Sequence, residues 1–167
     1  MKMDTFLERV PEAFATEILA ALPGPDRKDL VRRHGARVKI GAGTLKRAQR
    51  LAKECRLLLS ALRKSDDVDA KRSFLQGWLA RRAQMIVAFL DAWEVEHQGG
   101  IVEDFSWVES LDAEKVKRSL ETVREQLPDL EPVAPLVYFA YLELPVTEEV
   151  LDVEALWRSL TPAAAEG

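Results

Sequence analysis

The chain has one cysteine, Cys55, in 167 residues. A lone thiol excludes an internal disulfide and any metal cluster built on cysteines. There are two histidines, His34 and His97. Long apolar runs are absent as well. The longest, "MIVAFL" at 85–90, is far short of the ~20 residues that span a bilayer, so no membrane partner is expected. The opening "MKMDTFLERV" carries Asp4 and Glu8 where a secretory leader would need a basic start and then an apolar stretch. With the unpaired cysteine, this points to a cytoplasmic location.

What is present fits a globular protein: 47% hydrophobic and 31% charged residues. The net charge of −4 hides a strong asymmetry. Residues 26–82 hold 17 Lys and Arg against 6 Asp and Glu, whereas residues 83–167 hold 5 against 18. Such a division suggests an anionic partner for one face, or self-association between opposite faces. The alternative is that the two halves neutralise each other within the fold.

Helical periodicity dominates. Phe6, Val10, Phe14, Ile18 and Leu22 share one stripe, with Pro11 tolerable in a first turn. "LPGP" at 22–25 ends it, and "DRKDLVRRHG" reads as a short helix stopped by Gly35. "ARVKIGAG" at 36–43 reads as a loop or short extended piece. Thr44 is a plausible N-cap for the next helix. In that helix Leu45, Ala48, Leu51, Ala52, Cys55, Leu58, Leu59 and Leu62 cover one arc at about 100° per residue. Lys46, Arg47, Arg50, Lys53, Arg56 and Lys64 fall outside the arc, Arg63 lies on its edge, and Leu57 sits among the cations. Cys55 is expected as a buried apolar residue rather than a nucleophile.

A long helix is expected from about Asp69 to His97, ended by Gly99-Gly100. Packed antiparallel on the 45–64 helix, it would gather Arg56, Arg63, Lys64, Lys71, Arg72, Arg81 and Arg82 towards one end. Further on, "IVEDFSWVESLD" reads as a loop or short helix anchored by Phe105 and Trp107. Ser110 or Asp112 caps a helix reaching Leu127, and helix is favoured over strand for "LVYFAYLEL" at 136–144. Thr147 is placed as the cap of the last helix, with 163–167 as a frayed tail. The fold class is therefore all-α, a single-domain bundle over 1–162 of about five to seven helices with a long central antiparallel hairpin.

Catalytic patterns are thin. Glu94 and His97 form Glu-x-x-His, the spacing used by di-metal carboxylate bundles, but the required second copy is missing. "KIGAGTLK" at 39–46 could present backbone N–H groups to a phosphate, yet it matches neither the P-loop nor the dinucleotide fingerprint. Arg27 followed by His34, nearly on one side of a helix, resembles the motif of HEPN ribonucleases. Those are small helical bundles in which such a pair acts on RNA across a dimer interface. The resemblance rests on these two residues and the helical character, and here the pair lies in an early helix rather than a later one.

The leading expectation is a non-enzymatic accessory or adaptor subunit, with no cofactor and no metal, whose basic hairpin lies on an anionic surface. Nucleic-acid backbone is the foremost candidate and an acidic protein surface the next. The candidate anion-binding residues are Arg47, Arg50, Lys53, Arg56, Arg63, Lys71, Arg72, Arg81 and Arg82. Aromatics that could stack on bases are missing from the basic arc, which favours contact with backbone over base reading. The alternative is a protein–protein interaction module or homo-oligomer with no nucleic-acid role, using Leu57, Phe105 and Trp107 as partner contacts. A HEPN-like ribonuclease ranks third.

Overall fold

The computed structural model describes residues 1–34, 46–144, 150 and 152–160. Among them are nine α-helices: α1 (Met3–Arg9), α2 (Glu12–Ala21), α3 (Gly24–His34), α4 (Arg47–Leu62), α5 (Val68–Ala80), α6 (Ala83–Ala92), α7 (Ala113–Gln126), α8 (Ala134–Tyr141) and α9 (Val153–Leu160), with a 3-10 turn at Ser106–Ser110. The all-α helical bundle is as expected, and the helices are more numerous. No helix among the described residues is long and apolar enough to cross a membrane.

The extra helices come from breaks in runs whose apolar periodicity continues unbroken. Phe6, Val10, Phe14, Ile18 and Leu22 are all buried, but α1 and α2 part at Pro11. Its ring supplies no N–H and disfavours the helical conformation at Val10. The expected 69–97 helix is also two helices. Arg82, at φ −121° and ψ 36°, interrupts it between α5 and α6. It then ends at Trp93, before the glycines. There Val95 N–H bonds to Leu90 O and Glu94 N–H to Asp91 O, a Schellman closure that places Glu94 at φ +60°.

Leu7–Arg81 forms one compact unit. Here α2 packs against both α4 and α5, and α3 against the same two. The central hairpin therefore differs from expectation: α4 and α5 each take α2 as their principal neighbour. Phe14 meets Trp78 edge-on at 5.5 Å. Cys55, Leu58, Leu59 and Leu62 of α4 are buried, each leucine contributing about 1.5–3 kcal/mol relative to exposure. The N-terminal half of α4 rises away from this core. Ala48 is exposed, and Leu51 and Ala52 are only half-buried, although all three belong to the apolar arc.

The other unit comprises Met1–Phe6 and the chain from Arg82 onward. In it α6 packs on α7, and Phe89, Trp93, Tyr138 and Phe139 make an aromatic cluster with centroid separations of 5.1–6.4 Å. Trp93 Nε1 donates to Ser119 Oγ at 2.8 Å, and that hydroxyl donates to Val116 O, so both buried polar groups are satisfied. The 136–144 segment is helical as expected as far as Tyr141, where α8 ends, and α8 is buried over most of its length. Asp112, rather than Ser110, caps α7 by accepting from Lys115 N. Gly35, Thr44, Thr147 and most of "KIGAGTLK" lie outside the described residues.

Candidate anion-binding surface on α4

Along α4, Arg50, Lys53, Leu57 and Ser60 follow one another at spacings of three and four, the row of neighbours on a helix surface. Lys46 and Lys64 continue that row at either end, a span of about 27 Å at 1.5 Å per residue. Lys46, Arg50, Lys53 and Lys64 are exposed, as is Arg47 to one side of the row, while Leu57 is half-buried. The helix has one acid, Glu54. No ion pair to Lys46, Arg47, Arg50, Lys53 or Lys64 forms among the described residues. The row is thus a set of hydrated cations along one helix, anchored to the core through Cys55, Leu58, Leu59 and Leu62 of its C-terminal half.

Four of the nine anion-binding candidates are engaged in the fold instead. Arg56 grips Glu12 with Nε and Nη2, at 2.8–3.1 Å, and this hydrogen bonding holds the Glu12 carboxyl below its ordinary range. Arg63 donates from Nε to Leu7 O at 2.8 Å and from Nη2 to Glu8 O at 3.2 Å, satisfying the end of α1. Arg82 binds Glu131, with Nε to Oε2 at 3.0 Å. Lys71 is buried, at 5% exposure. It shares the face of α5 that carries Phe74, Leu75 and Trp78, three, four and seven residues on, and that spacing is readable in the sequence. Arg72 and Arg81 are exposed on and just after α5.

The cations at the end of α3 are answered locally. Arg32 and Arg33 both pair with Asp29, and those hydrogen bonds hold its carboxyl low. His34 lies 3.5 Å from the Asp67 carboxylate, which also caps α5 by accepting from Ala70 N. His97 Nδ1 accepts from Gly100 N–H, so its Nε2 carries the proton facing Asp91 at 3.1 Å. Of the partner-contact candidates, Phe105 is 48% exposed. Trp107 is half-buried against Trp93, with ring centroids 5.4 Å apart. Its indole Nε1 is buried with no hydrogen-bond partner among the described residues.

Fold and site together define an all-α protein with a cationic helix face that meets no carboxylate among the described residues. No protein-family model, curated protein or solved structure matches the chain.

Proposed function

We propose that this chain is a cytoplasmic, non-enzymatic accessory subunit that lays the α4 row on nucleic-acid backbone. The observation that carries this reading is the exposed series Lys46, Arg50, Lys53 and Lys64, flanked by Arg47 and paired with no carboxylate among the described residues. Each such cation can neutralise a phosphate and release its counterion. A helix also fits a major groove about 12 Å wide. The absence of aromatics from the row argues for contact with backbone and not for base stacking.

Heparin retention and a mobility shift at ~50 mM salt test the reading. With four or five phosphates neutralised, log K should fall against log salt with a slope of about −4. The pair Arg50→Glu with Lys53→Glu should abolish retention. A wild-type protein that is not retained at that salt would overturn the proposal.

A further inference from the structure

The acidic half of the chain holds a second surface that complements the first. After α6, Gly99 and Gly100 take φ of +60° and +92°, as a type I′ turn requires at its two central residues. Gln98 and Ile101 pair across that turn through both backbone bonds. The turn holds Ile101 outward at 73% exposure. Beneath it lies an open cleft of ≈ 690 Å³ walled by Trp93 and Trp107.

Glu94, Glu96, Glu103 and Asp104 also line this cleft. Hydrogen bonds from Ser106 hold the Asp104 carboxyl below its ordinary range. No ion pair to Glu94, Glu96, Glu103 or Asp104 forms among the described residues. Lys115, the one lysine in the lining, directs its Nζ to Trp93 O at 3.0 Å. The cleft therefore joins exposed apolar surface to unneutralised negative charge. Its natural occupant is a cationic helix with an apolar residue among its cations. The chain has such a helix in α4, where Leu57 sits between Lys53 and Lys64. The charge of the two units matches this: Leu7–Arg81 carries +8 and the remainder −12.

We propose that the cleft receives the α4 row of a second copy, head to tail. Such a contact is heterologous, so it continues into a ring or an open chain. It would also compete with nucleic acid for the same cations. The cleft is a site separate from the nucleic-acid reading.

Sedimentation of the full chain at ~50 mM and ~500 mM salt tests the proposal, since screening loosens contacts between exposed charges. Mass should rise with concentration at low salt and fall back to the 18.8 kDa monomer at high salt. The row variant, Arg50→Glu with Lys53→Glu, and the cleft variant, Glu96→Lys with Glu103→Lys, should each weaken association at least ~tenfold. Mixing the two should restore it, because each reversed surface then meets its opposite. Unchanged thermal melts establish that both variants are folded. A wild-type monomer at both salts, association that survives either variant, or a mixture that stays monomeric would each overturn the proposal. The cleft variant should keep its heparin retention, so failure of self-association and failure of nucleic-acid binding are read separately.

Discussion

The guanidinium of Arg63 reaches back to the carbonyl oxygens of Leu7 and Glu8, 2.8 and 3.2 Å away. The last carbonyls of a helix have no intrahelical donor, and a cation there is favoured by the helix dipole. Arg63 is thus a structural residue within a run of binding-type arginines. Arg63→Ala should lower stability by about 1–2 kcal/mol and change heparin retention little. Arg50→Glu should do the reverse. Urea denaturation and salt elution, run on both variants, check the contrast.

At Gly77, α5 comes close to the end of α2. A Cβ built there would lie 2.6 Å from Leu22 Cδ2 and 2.9 Å from Leu22 Cα. The side-chain contact could swing away, but the backbone contact cannot. Gly77→Ala improves helix propensity by about 1 kcal/mol, and overpacking opposes it with about 1–3 kcal/mol. The expected outcome is a lower urea midpoint, with the gain from propensity lost.

Glu94 and Glu143 occupy the same backbone position after two different helices, at φ +60° and +55°. Both positions favour glycine, because a Cβ in the left-handed region crowds the following carbonyl. Each also places a negative charge at a helix C-terminus, against the dipole. Glu94→Gly and Glu143→Gly should each stabilise the protein by about 0.5–1 kcal/mol. Thermal melts at one salt concentration measure the gain.

Burial pushes the Cys55 thiol up to about 11, from an ordinary value near 9. The folded state therefore keeps its proton where the unfolded state has lost it. Stability is unaffected by this group below pH 9 and falls between pH 9 and 11, by at most about 1.4 kcal/mol per pH unit. The same burial shields the sulfur. Alkylation at pH 8 should be slow in the native protein and fast in denaturant, and the Cys55→Ser variant should lose the thiol-specific part of the alkaline decline.

Much of the architecture was legible because helical burial is a local pattern. The stripe through Phe6, Phe14, Ile18 and Leu22 and the arc through Cys55, Leu58, Leu59 and Leu62 are buried as their spacing implied. Lys71 was placed among the anion-binding cations, although Phe74, Leu75 and Trp78 mark its face as the buried one. The breaks were harder to read. Pro11 carries its own signal, but Arg82 has no chemistry that announces a kink.

Of the candidate surface, the sequence by itself determined that α4 would have a leucine face beneath a cationic one, through a period of 3.6 residues. Only the tertiary structure decided which cations stay open. Arg56 meets Glu12, Arg63 meets Leu7 and Arg82 meets Glu131 across 44, 56 and 49 residues of chain. No local period encodes a partner that far away. Arg50 and Lys53 have no such partner among the described residues, because the helix that carries them buries only its opposite side.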